Sequence, residues 1–136
     1  MFNPTLVKYK KHQRNRLFGK VVNKKAFNLK FGTMGIKTIE SGYLTTTHLE
    51  IIRRILVKKS NKTAKIWFRI FARKIITAKA KDSRMGKGKG LFVCFVSPIQ
   101  AGTILFEIDG LSYANFLEAF FYLKKKLPVK IKMVFL

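Results

Sequence analysis

Hydrophobic positions along this chain repeat at two periods, 3.6 and 2, and the alternation between them outlines the elements. Leu49, Ile52, Ile55 and Leu56 share one face of a helix running to about Lys59, while Arg53, Arg54, Lys58 and Lys59 point elsewhere. Thr47 with Glu50 has capping-box spacing, and Thr45 is an equally good N-cap if the helix starts earlier. A second helix is predicted from Ser112 to about Lys126. Phe116, Ala119, Phe120 and Leu123 face inward, Lys124, Lys125 and Lys126 suit the negative end of the dipole, and Pro128 ends it.

Period-two stretches supply the strands. Along Lys65 to Phe71, Ile66, Phe68 and Ile70 fall on one face and Trp67, Arg69 and Phe71 on the other; coverage of both faces predicts a central strand. Gly35 to Glu40 partly alternates, Ile75 to Thr77 adds a short strand, and Val129, Ile131 and Met133 alternate with lysines in a last one. Leu91 to Val96 turns at Pro98, Gln100 and Gly102 into Thr103 to Ile108, so these two are expected to pair as an antiparallel hairpin. Two helices with about six strands imply an α+β fold, a two-layer sandwich of a mainly antiparallel sheet with two helices.

Residues 1–30 follow neither period. Lys8, Lys10, Lys11, Arg14, Arg16, Lys20, Lys24, Lys25 and Lys30 are interleaved there with Tyr9, His12, Phe18 and Phe27. Such a segment cannot fold on its own apolar content, but it can follow a phosphate backbone while its rings stack on bases. It reads as a basic, RNA-threading N-terminal arm on a single α+β unit covering residues 31–136. The competing reading, a mitochondrial transit peptide, is opposed by the lack of serine and the few arginines.

Charge sharpens the picture. The 136 residues carry 29 Lys and Arg against 6 Asp and Glu, a formal charge of +23, and no acid precedes Glu40. With 48% apolar residues the chain can bury a real core, so it is not a disordered tail. Self-repulsion on this scale calls for a polyanionic partner, nucleic acid first and an anionic membrane surface second. No apolar run approaches the length of a membrane span, since Leu91 to Ile99 is broken by Ser97 and Pro98. The outer cations of the first helix could simply be solvated; the net charge makes Arg53 and Arg54 candidate phosphate contacts.

Catalytic and metal-binding patterns are lacking. His12 and His48 have no ligand neighbour at useful spacing, so neither metal nor cofactor is expected. The lone cysteine, Cys94, lies in an apolar run and reads as a buried, inert thiol. Glu107 and Asp109 could form an acid pair, but in so basic a chain neutralising nearby lysines is the expected job.

The most informative stretch is Arg84-Met85-Gly86-Lys87-Gly88-Lys89-Gly90. Gly86, Gly88 and Gly90 free the backbone for close approach to a ligand, and Arg84, Lys87 and Lys89 hang charge on that frame. Neither a Walker loop nor a dinucleotide fingerprint fits the spacing, because Leu91 stands where the latter needs glycine. The loop reads as a tip held by a sheet and fitted to a polyanion, or more blandly as a solvated hairpin tip.

Read together, these stretches resemble the large-subunit ribosomal protein L-sixteen family. The likeness runs from Met1-Phe2-Asn3-Pro4 and Lys8-Tyr9-Lys10-Lys11 through Phe31-Gly32, Gly35-Ile36, Leu44-Thr45, Glu50 and Arg53-Arg54. It continues in Lys65-Ile66-Trp67-Phe68-Arg69-Ile70-Phe71, is sharpest at the Arg84 to Gly90 loop, and extends to Leu105-Phe106-Glu107-Ile108-Asp109-Gly110 and Leu127-Pro128-Val129-Lys130. The resemblance implies a non-enzymatic α/β sandwich bound to large-subunit rRNA near the peptidyl transferase centre. It further implies help in placing A-site tRNA, with neighbouring ribosomal proteins as partners and no homo-oligomer. Arg84, Lys87 and Lys89 match the family's functional loop, and Lys8 to Arg16 its RNA-threading N-terminus.

Two stretches depart from the family pattern: Ala72-Arg73-Lys74-Ile75 replaces a proline-containing turn, and bulky Phe116, Phe120, Phe121 and Tyr122 stand in a helix that is usually alanine-rich. Lysine outnumbers arginine 22 to 7, beside 13 Phe and 13 Ile, a bias favoured by AT-rich codons. Since the match starts at Met1, no cleaved leader is expected, and the reading is a copy encoded and used inside a mitochondrion. A free-standing RNA chaperone and a peripheral membrane protein are the alternatives.

Overall fold

In the computed structural model, residues 2–4, 7–13 and 28–136 are described. Seven strands and two helices follow in the order β1 (Met34–Thr38), β2 (Gly42–Thr45), α1 (Thr46–Lys59), β3 (Lys65–Phe68), β4 (Lys74–Ala78), β5 (Leu91–Ile99), β6 (Ile104–Asp109), α2 (Tyr113–Lys126) and β7 (Ile131–Phe135). The strands form two antiparallel sheets, β3-β6-β1-β7 and β2-β5-β4. This is the expected α+β sandwich, with β2 as a strand the sequence pattern did not reveal.

One core joins the layers. Leu49, Ile52 and Leu56 from α1 and Phe116, Ala119 and Leu123 from α2 are buried against Ile36, Leu44, Ile99, Leu105, Phe106 and Ile108 of the sheets. Burying one such side chain contributes about 1.5–3 kcal/mol. Phe120 is only partly buried at the edge of this core. Phe2 belongs to the core as well, packing edge-on against Phe68 with ring centroids 4.9 Å apart.

α1 begins at Thr45, and its capping partner is His48 rather than Glu50. The Thr45 hydroxyl accepts from the His48 N–H at 3.3 Å, and His48 Nδ1 accepts from the Thr45 N–H at 3.2 Å. The second bond needs an unprotonated Nδ1, and burial favours that state by lowering the imidazole pKa below its ordinary value. Glu50 turns instead to Arg53, at 2.7 Å, and Arg54, at 3.6 Å. α2 is capped as expected, with Ser112 Oγ accepting from the Asn115 N–H at 3.4 Å.

Two strand expectations are corrected. β5 and β6 do not pair with each other; they belong to different sheets. Thr38 at the end of β1 takes the polar groups of the intervening turn: its hydroxyl donates to Gln100 O, its N–H donates to Thr103 O, and its carbonyl accepts from the Gly102 N–H. The turn is thereby spent on β1, and β6 continues alongside it. β5 runs on through Pro98, which is tolerated because β4 pairs only as far as Val96, leaving Pro98 a neighbour on one side only. β3 is an edge strand, not a central one. Its coverage comes from aromatic side chains, Phe2 on Phe68 and Phe31 stacked on Trp67 at 6.3 Å, not from flanking strands.

Candidate nucleic-acid interface

The β4–β5 hairpin holds the basic loop at its tip, with Ala78 paired to Leu91 at its base. From Lys79 to Lys89 every residue is exposed, Met85 almost fully. Gly86, Lys87 and Gly88 have φ of 102°, 51° and 81°, three successive residues in the left-handed region. The glycines adopt this without a Cβ penalty, while Lys87 bears a cost of about 1–2 kcal/mol. The Gly86 carbonyl accepts from Lys79 Nζ, closing the turn on itself. The loop encloses an open concavity of about 740 Å³ whose lining includes Lys79, Ser83, Arg84, Lys87 and Lys89.

The arm comes to this loop from far along the chain. Lys11 Nζ donates to Lys89 O at 3.3 Å, and Lys89 Nζ donates in return to His12 O. Exposed Lys8, Lys10 and Lys11 therefore join Arg84, Lys87 and Lys89 in one basic tract. Tyr9, two-thirds exposed, stands in the same tract with Lys8 Nζ 5.6 Å from its ring centroid. Arg14 and Arg16 lie outside the described residues. Farther along, His12 and Gln13 border a small cavity on the β2-β5-β4 sheet with Tyr43, Lys74 and Ile76.

Arg53 and Arg54 differ in their freedom. Glu50 engages the Arg53 guanidinium through both Nε and NH2. Arg54 is far more exposed and reaches Glu50 only at 3.6 Å, which leaves its guanidinium the more available of the two.

The group that anchors the arm's inner end is Glu107, which does not neutralise lysines as expected. It is fully buried in β6, where its Oε2 accepts three successive backbone N–H groups, from Lys30 at 2.8 Å, Phe31 at 2.6 Å and Gly32 at 3.1 Å. Its other oxygen accepts from Arg69. Burial alone would raise this carboxyl, but the three N–H donors and Arg69 outweigh it and hold the pKa below the ordinary carboxylate value. Gly32 makes the approach feasible, because a Cβ there would meet Ile108 O at 2.7 Å. A signal in the sequence could have found this: an acid between Phe106 and Ile108 in an apolar strand must be paired to be buried. Asp109 accepts from the Thr33 hydroxyl at 3.0 Å, and Cys94 is a free thiol only partly buried.

Among the described residues no group of three His, Cys, Asp or Glu side chains could hold a metal ion, and no helix is long and apolar enough to cross a membrane. What the tract can offer is multiple ammonium and guanidinium donors, glycine backbone open to close approach at Gly86 and Gly88, and an exposed ring, the chemistry of phosphate contact and base stacking.

Residues 4–134 match the family model of ribosomal protein L16p/L10e. The chain belongs to this family. The large ribosomal subunit protein uL16c of Cyanidium caldarium is 39% identical over 134 residues, covering 98% of this chain and 94% of the relative. Its counterpart from Thalassiosira pseudonana is 36% identical over 134 residues, covering 98% and 96%. Both relatives are of the organellar, plastid-encoded type. As a member of the L16p/L10e family, the chain is a structural, non-enzymatic constituent of the large ribosomal subunit.

Proposed function

We propose that this family member binds large-subunit rRNA near the peptidyl transferase centre and helps place A-site tRNA. The observation that carries the reading is the reciprocal clasp between Lys11 and Lys89, with His12, that joins arm and loop into one cationic tract. Residues 1–30 would thread RNA, residues 31–136 would form the rRNA-bound body, and Lys8, Lys10, Lys11, Arg14, Arg16 and Arg54 would supply anchoring charge. Arg53, held by Glu50, would contribute less. Arg84 brings a planar fork suited to phosphate or a guanine edge, and Lys87 and Lys89 act as point charges. The ribosome served is an organellar one, which the two relatives support, and we assign it to a mitochondrion on the lysine-, phenylalanine- and isoleucine-rich composition.

The test is the triple variant Arg84→Ala, Lys87→Ala, Lys89→Ala, followed by ribosome profiling and a tRNA-binding assay. Because the arm and α1 retain most of the anchoring charge, the variant should enter large subunits yet place A-site tRNA poorly. Wild-type tRNA placement, or exclusion of the variant from subunits, would remove the role given to the loop.

A further inference from the structure

Away from the arm and loop, α1 and α2 pack side by side and leave an aromatic groove of about 240 Å³ lined by Ile55, Lys58, Lys59 and Tyr122. Two helical arrays frame it. Ile55, Lys58 and Lys59 stand at i, i+3 and i+4 on α1, and Glu118, Tyr122, Lys125 and Lys126 follow the same spacing on α2. Tyr122 is 56% exposed although aromatic, and Lys59 is drawn in from one side, with its ammonium 5.5 Å from the Tyr122 ring centroid and donating to Glu118. Lys58 lines the groove and is exposed, and Lys125 and Lys126, one turn along α2 from Tyr122, are exposed as well.

We propose that this groove receives one unpaired RNA base stacked on Tyr122, with the flanking phosphates held by Lys58, Lys125 and Lys126. The assignment rests on the RNA-binding reading above and adds a second contact surface to it. Charge complementarity selects a polyanion, since Glu118 is the single acid of these arrays and is already paired with Lys59. The size of the groove selects the kind of polyanion. An acidic amphipathic helix needs several apolar anchors spread over two or more turns. Four lining residues with one exposed ring instead suit a single planar group, and stacking between a base and an aromatic face requires no sequence match. Lys59 held near the ring adds a cation that a stacked base can share.

The test uses the full chain and an oligouridine of twelve nucleotides carrying 5-iodouridine, with affinity measured over a salt series and photocross-links mapped by mass spectrometry. Tyr122→Ala should weaken binding about ten-fold at fixed salt without changing the salt slope, while Tyr122→Phe stays within about two-fold of wild type. Lys58→Gln with Lys126→Gln should make the log–log slope shallower by about 1.4. A cross-link should map to the peptide containing Tyr122. Far-ultraviolet circular dichroism checks folding, and should Tyr122→Ala unfold, the double lysine variant and the cross-link map decide.

Salt-dependent binding by wild type that Tyr122→Ala leaves unchanged, with cross-links confined to arm and loop, would overturn the groove while sparing the wider RNA-binding reading. Failure of wild type to bind at all would overturn both. Polyglutamate that abolishes the Tyr122 cross-link as effectively as unlabelled oligouridine would give the groove to an acidic protein and overturn the base assignment.

Discussion

Replacing Glu107 by glutamine should be among the most damaging isosteric changes in this protein. The amide keeps the shape, and its oxygen can still face the Lys30, Phe31 and Gly32 N–H groups, but those three bonds lose their charge and the NH2 is turned against Arg69. A hydrogen bond to a charged group contributes about 1.5–3 kcal/mol against about 0.5–1.5 for a neutral one. Removing the Arg69 pairing besides brings the expected loss to about 3–4 kcal/mol. At this chain length that lowers the melting temperature by about 10–15 °C.

The pH dependence provides an internal control. The folded carboxyl titrates below the ordinary glutamate value, so its stabilisation is fully present above that ordinary value and is lost as pH falls through the folded pKa. The gap between wild type and Glu107→Gln should therefore close on acidification below about pH 4.5. Urea unfolding followed by circular dichroism between pH 3 and 7, with limited proteolysis near Leu29 to Gly32, reads both effects. A loss under about 1 kcal/mol at pH 7, or a gap that stays constant to pH 3, would refute the role given to these hydrogen bonds.

Phe106→Ala, which empties a fully buried site in contact with Phe68, should cost about 3–5 kcal/mol and reduce soluble protein, whereas Arg54→Ala should leave the melting temperature within about 2 °C. Thr45→Ala removes the α1 cap and should cost about 1 kcal/mol by urea unfolding. Since His48 accepts through Nδ1 and its folded pKa is lowered, the His48 part of the cap is present above pH 6.5 and lost as pH falls through the folded value, so His48→Gln should flatten the stability profile there. If the arm, loop and first helix together neutralise about eight phosphates, log affinity for duplex RNA should fall with log salt at a slope of about −7, and a slope shallower than about −3 would contradict the electrostatic account.

The local decisions were legible in the chain itself. Helical spacing of Leu49, Ile52 and Leu56 and of Phe116, Ala119 and Leu123 fixes which faces are buried, because a side chain's direction on a helix depends only on its position in the repeat. Alternation sets most strands for the same reason, and the glycine-lysine loop is evident as a hairpin tip before any sheet is known. Partner choice is another matter. That β5 leaves β6 for a second sheet depends on Thr38, 62 residues from Gln100, capturing the turn between them.

Two polar arrangements depend on tertiary structure in the same way. Glu107 gathers three N–H groups from 75 to 77 residues away, and Lys11 meets Lys89 across 78 residues. No local preference encodes such contacts. They form because a buried carboxylate or a turn's carbonyl must be satisfied by whatever the packed elements bring within about 3 Å, and only the assembled sheets determine what that is.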